Sequence, residues 1–273
     1  MTASRAWRNL LVAGLLALGL SACGRSEDPF AGFTTTPATS PPQPPAAVPT
    51  LPPETPAPPR RRPRRPPPRA GTSPDPLPAQ GPVPPAPDAG DQRLPASCCS
   101  EPRNERQVDA IVVHTTETPD RRGYGELTKL ARYFVKSRKS AHVTTDGEGY
   151  SSRMVDDDHL AYHATYWNVS TLGIEQVGYA AFGDEAWFAR PVQLEASAQW
   201  IAHWAAKFRI PIRRCEVVGL RYNRRKRVVA GVITRRGICT HGQLDPRNRS
   251  DPGRGYPFDV VLERAREIVA DAG

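Results

Sequence analysis

The chain has 273 residues, 31 prolines, five cysteines and a formal net charge of +9. One close-packed core over the whole length is excluded, because 23 of the prolines fall in residues 24–94. That stretch has few aromatics and no amphipathic period, so it cannot bury enough apolar surface to offset its ordering entropy. The positive excess suits an acidic polymer or an anionic surface as partner.

The chain opens with Arg5 and Arg8 ahead of an apolar run from Leu10 to Leu20. The run is short for a bilayer span and reads as a secretory signal. It closes on Leu20-Ser21-Ala22-Cys23, which resembles a bacterial lipobox. The resemblance implies cleavage before Cys23 and lipidation of its thiol, and several acyl chains hold a protein stably on a membrane. Residues 1–22 are therefore expected to be a signal peptide and residues 23–95 a tether carrying lipidated Cys23. Proline-rich chain extends by ~3.1 Å per residue or less, a reach on the order of 100–200 Å. Within the tether, RRRPRRPPPR (residues 60–69) holds six arginines. It is read as a solvated spacer or as a contact for anionic lipid or wall polymer. The expected location is the cell envelope, lipid-anchored and facing the periplasm or cell wall, and export argues against nucleic acid as a partner.

Residues 96–273 have the length of one domain. VDAIVVHTTE (108–117) is a β-branched run and reads as a buried strand. GELTKLARYFVKS (125–137) has Leu127, Leu130, Ala131, Phe134 and Val135 at helical spacing. The Asp-Gly-Glu-Gly centre of residues 140–155 predicts a hairpin. TLGIEQVGYA (171–180) predicts a strand, LEASAQWIAHWAAKF (194–208) a helix, and CEVVGL (215–220) a short strand. A last helix starts near Pro257, a good first-turn residue. The alternation predicts an α/β domain with a mixed central sheet flanked by helices. With Cys23 lipidated, four cysteines remain. A bond between the adjacent Cys98 and Cys99 is expected to be strained, so each is expected to pair with Cys215 or Cys239.

Six histidines are present. His203 between two tryptophans, His159 after three aspartates and His142 at the head of a strand all read as structural or solvated. His114 ends a buried strand, where open α/β sheets build their sites. His241 and Asp251 lie ten residues apart in a Pro/Asn/Gly-rich loop that can fold back on it. Two imidazoles and a carboxylate make a zinc shell with a fourth position open, the arrangement of catalytic zinc.

Four stretches in this order, IVVHTTE, SAHVTTDGEGY to AYHATYWN, LGIEQVG and THGQLDPRNRSDPG, resemble the zinc-dependent N-acetylmuramoyl-L-alanine amidases that share a fold with peptidoglycan recognition proteins. The resemblance implies Zn²⁺ held by His114, His241 and Asp251, and peptidoglycan (muropeptides) as substrate. It implies Glu175 as general base or as the group orienting the attacking water. Arg249 stands where many relatives carry lysine. Arginine stays protonated, so an electrostatic role toward the oxyanion is expected rather than acid catalysis. His163, Trp167 and Asn168 fall where relatives line the substrate groove. The alternative reading is a peptidoglycan-binding recognition module without turnover.

Overall fold

A computed structural model describes residues 81–104, 107–119 and 124–273. The expected signal segment, Cys23 and the arginine run lie outside the described residues. Among the described residues, no helix is long and apolar enough to cross a membrane.

The chain enters through β1 (Ala89–Asp91), α1 (Ala96–Cys99) and β2 (Ser100–Pro102), then runs through β3 (Ala110–Thr115) and α2 (Tyr124–Ser137). A hairpin follows, β4 (Val143–Thr145) and β5 (Ser151–Arg153), then β6 (His159–Ala161), a 3-10 turn over Thr165–Ser170 and β7 (Thr171–Gln176). Two helices come next, α3 (Asp184–Phe188) and α4 (Pro191–Phe208), then a two-stranded arm, β8 (Glu216–Tyr222) and β9 (Val228–Arg235). The chain closes with β10 (Gly237–Thr240), α5 (His241–Leu244) and α6 (Phe258–Asp271). The main sheet has strand order β1-β5-β4-β7-β3-β10. β4, β7, β3 and β10 are mutually parallel, and β5 runs antiparallel to β4. This is the expected mixed α/β architecture.

Strand alternation divides the core. Ile111 and Val113 of β3 and Leu172 and Ile174 of β7 pack with Leu194, Ala198, Trp200, Ile201 and Trp204 of α4, and with Val261 and Leu262 of α6. On the other face, Ala110 and Val112 pack with Trp167, Cys215, Cys239 and Leu244. Leu127, Ala131 and Phe134, the expected apolar stripe of α2, form a third cluster with Cys99 and Met154. Val135, predicted on that stripe, stays exposed.

Three expectations change. The fold begins ahead of residue 96, because β1 pairs with β5 and Leu94 joins the α2 cluster. The 215–220 strand does not enter the main sheet. β8 pairs with β9 alone, and its burial alternates where β3 is buried throughout, as befits a strand covered on one face. The disulfides are Cys98–Cys99 and Cys215–Cys239, not the crossed pairs expected. The reason is spatial: Cys99 sits in the α2 cluster, whereas Cys215 and Cys239 sit together against Trp167 and Leu244.

Candidate metal centre

The site grows out of sheet register. His114 near the end of β3 is paired with Glu175 of β7, so both side chains leave the sheet on the same face, opposite α4 and α6. β10 pairs with β3 as far as Thr240↔Val113. The next residue, His241, therefore starts beside His114. Thr240 caps α5 in a capping box: its hydroxyl accepts from the Gln243 N–H (3.1 Å), and the Gln243 side chain accepts from the Thr240 N–H (2.9 Å). The loop then returns. The Asp245 carbonyl accepts from the Asn248 and Arg249 amides, and the Gly242 N–H donates to the Asp251 carbonyl (3.0 Å). Gly253 fixes the exit at φ +88°, where an added Cβ would lie 1.9 Å from the Ala180 carbonyl oxygen.

These elements converge His114, His241 and Asp251, which are only 1%, 8% and 7% exposed. His114 Nδ1 lies 2.9 Å from His241 Nδ1 and 3.3 Å from Asp251 Oδ2, and His241 Nδ1 lies 3.1 Å from Asp251 Oδ2. A tetrahedral zinc bound at ~2.0–2.1 Å needs donor atoms roughly 3.3 Å apart. The triangle has that size and the usual zinc donors, so the residues fit the ion. One other group among the described residues, Asp156, Asp158 and His159, brings three such atoms together, but its two aspartates are exposed.

The electrostatics favour a neutral His114 imidazole beside an anionic Asp251 carboxylate. Burial, then the neighbouring His241, lowers the His114 imidazole to about 4, against the pull of Asp251. Burial works to raise the Asp251 carboxyl, but its close contacts with the His114 and His241 imidazoles prevail and hold it far below the usual range. Glu175 goes the other way. Burial, then the Asp251 charge, pushes its carboxyl well above its ordinary value, partly offset by Lys139 and Arg249. Its Oε2 is buried with no hydrogen-bond partner. Arg249 is exposed and lines a cleft of about 740 Å³ with Thr240, Gly242, Gln243 and Arg254.

The three residues expected in the groove are placed differently from one another. Trp167 is 3% exposed, and its indole donates to the Leu244 carbonyl (3.1 Å). It supports α5 and presents no face to a sugar, which corrects the expectation. The Asn168 side-chain oxygen accepts from the amides of His163 (3.2 Å) and Ala164 (2.6 Å), so it holds the 163–168 turn. His163 faces His114, with its Nδ1 2.9 Å from His114 Nε2. Of the histidines read as structural, His142 is fully buried, with its Nδ1 accepting from the Gly173 N–H (3.0 Å). Two residues escaped the sequence reading, Thr171 and Gly173, which contact His163. The signal available was a glycine inside a strand, which marks a close approach.

A family model described as N-acetylmuramoyl-L-alanine amidase matches residues 104–254. The chain belongs to the N-acetylmuramoyl-L-alanine amidase family. Members are hydrolases of the peptidoglycan amidase class, and the matched span includes every residue of the candidate centre. No curated protein matches the chain. Among solved structures, this amidase is similar to the AmpD selenomethionine derivative, at 16% identity over 66% of this chain and 93% of that one, with a TM-score of 0.45. It is also similar to hydrolase AmiA of Staphylococcus aureus in complex with its ligand (17% identity, 66% and 84% covered, TM-score 0.47). A third is Drosophila PGRP-LB (15% identity, 62% and 92% covered, TM-score 0.43).

Proposed function

We propose that this amidase is a zinc enzyme that hydrolyses the amide between the lactyl group of N-acetylmuramic acid and L-alanine of the stem peptide. The observation that carries the reading is the convergence of His114 Nδ1, His241 Nδ1 and Asp251 Oδ2 on the sheet face that also bears Glu175. Zinc in such a site acidifies a water and polarises a carbonyl oxygen. His114, His241 and Asp251 would hold it. Glu175, with a raised pKa and an unpartnered buried oxygen, takes the proton released as water adds to the lactyl carbonyl. It then delivers that proton to the departing L-alanine nitrogen, so the C–N bond breaks to carboxylate and free amine. The Arg249 guanidinium, near enough to act on both Glu175 and His114, stabilises the oxyanion and does not supply a proton.

The lipobox-like end of the signal and the proline-rich tether support a further part of the same reading, a domain lipid-anchored through Cys23 in the cell envelope. The test is digestion of isolated peptidoglycan by the purified protein, with zinc and after chelation, followed by mass spectrometry. Stem peptides with N-terminal L-alanine are expected, lost on chelation and restored by zinc. The His114→Ala variant, folded by circular dichroism, is expected to release none. Sugar-chain fragments would point to another enzyme class. Bound sacculi without product would favour the recognition module.

A further inference from the structure

We propose that His163 and Thr171 form a positioning pair that holds His114 in the tautomer whose Nδ1 lone pair faces His241 and Asp251, and that the pair thereby sets the affinity for zinc. The proposal rests on the zinc reading above but concerns residues behind the metal centre.

The relay can be followed by counting protons. The Thr171 hydroxyl owns one and donates it to the Trp167 carbonyl, 2.8 Å away. Thr171 Oγ1 also lies 3.2 Å from His163 Nε2. With its own proton committed to Trp167, the oxygen accepts there, so His163 carries its proton on Nε2. A neutral imidazole has one N–H, which leaves His163 Nδ1 as a lone pair. That lone pair sits 2.9 Å from His114 Nε2 and accepts from it. The His114 proton is then on Nε2, and Nδ1 is free toward the cluster. The ring centroids lie 5.1 Å apart with the planes at 86°, a geometry that an N–H in one ring plane and a lone pair in the other permit.

The surroundings are built for this contact. A Cβ on Gly173 would lie 2.6 Å from His163 Nδ1, so only glycine leaves room for the ring. Asn168 clamps the backbone from which His163 projects. Trp167, whose carbonyl ends the relay, grips the Leu244 carbonyl through its indole, and Leu244 closes the helix that His241 opens. The relay thus ties the orientation of one ligand to the element that carries another. Partners of this kind orient ligating histidines, and their loss typically weakens metal binding about 10–100-fold.

The test measures zinc affinity of the full chain by competition with a chromophoric chelator. Thr171→Val keeps shape and removes the acceptor, His163→Leu removes the relay, and His163→Asn returns an oxygen acceptor near the Nδ1 position. We expect roughly 10–100-fold weaker zinc binding for the first two and a recovery toward wild type for the third. The metal-free Thr171→Val and His163→Leu chains lose buried hydrogen bonds and should melt lower than wild type, so zinc affinity is read on chains first shown to be folded by circular dichroism. Wild-type affinity in Thr171→Val and His163→Leu, with zinc bound normally by wild type, would overturn this proposal and leave the zinc reading intact. A wild-type chain that binds no zinc would overturn the zinc reading itself. Side-chain ¹⁵N shifts of the metal-free chain decide the tautomer in either case. Protons on Nε2 of both His114 and His163 support the relay, and a proton on His114 Nδ1 refutes it.

Discussion

Glu175 is the residue on which folding and chemistry pull in opposite directions. A buried carboxyl oxygen without a partner costs about 1–3 kcal/mol, and the site keeps one there. Glu175→Gln preserves shape and removes the proton acceptor. Its expected effect is a ~10²–10⁴-fold fall in the rate of stem-peptide release, with zinc affinity unchanged, read by product assay and chelator competition. A fall of only a few-fold would move the proton transfer to another group. His114, His241 and Asp251 were legible in the sequence because their spacing and order recur in a known family. Thr171 and Gly173 were not, because a hydroxyl and a hydrogen on a strand look like ordinary strand filler until a ring is seen against them. His163 and Trp167 were picked out for the right region, but which way a side chain points is set by packing. Trp167 turns into the core behind α5.

At the scale of elements, the centre is held by backbone pairing on one side and by a tight loop on the other. His114 and Glu175 are register partners on adjacent parallel strands, so their spacing is fixed by peptide hydrogen bonds and owes nothing to loop length. Asp251 depends on the loop, and the loop depends on Gly253 at positive φ against Ala180. Gly253→Ala is expected to cost about 1–3 kcal/mol or more and to weaken zinc binding by displacing Asp251. Urea unfolding together with chelator competition checks both effects, and an unchanged zinc affinity would show that the loop tolerates the shift. The long helices and the β4–β5 hairpin were legible from period and turn chemistry. The β8–β9 arm was half legible. Its first strand was visible as a β-branched run, but no local pattern says which sheet a strand joins. β9 and β10 follow one another through Arg236 with no turn signal between them.

At the scale of the molecule, the buried histidines make stability depend on acidity. His114 is lowered to about 4 and His142 to about 3, and His163 is lowered well below its ordinary value, each chiefly by burial. Unfolded histidine titrates near 6.5. Between those limits the unfolded chain binds more protons than the folded one, so stability rises with pH and falls on acidification. Asp251, depressed in the folded state, adds to the loss at lower pH. Glu175, raised in the folded state, opposes it as a single group. The urea midpoint of the metal-free chain should therefore drop steadily from pH 6.5 to pH 4. His142→Gln, away from the metal ligands, should make that slope shallower. A midpoint that is flat or rising on acidification would contradict this account.

The order of the main sheet also decides how the domain bears a pull. Tension applied from the segment ahead of residue 81 first reaches the sheet at β1, a three-residue edge strand paired only with β5. Such a strand peels from the border one bond pair at a time. β10, which leads into His241, is the opposite edge, with β3 and β7 beside it and β5 and β4 between them and β1. The margin that takes the strain is therefore separate from the margin that holds the chemistry. A tug on the leading segment can fray the one while the zinc ligands and Glu175 keep their places.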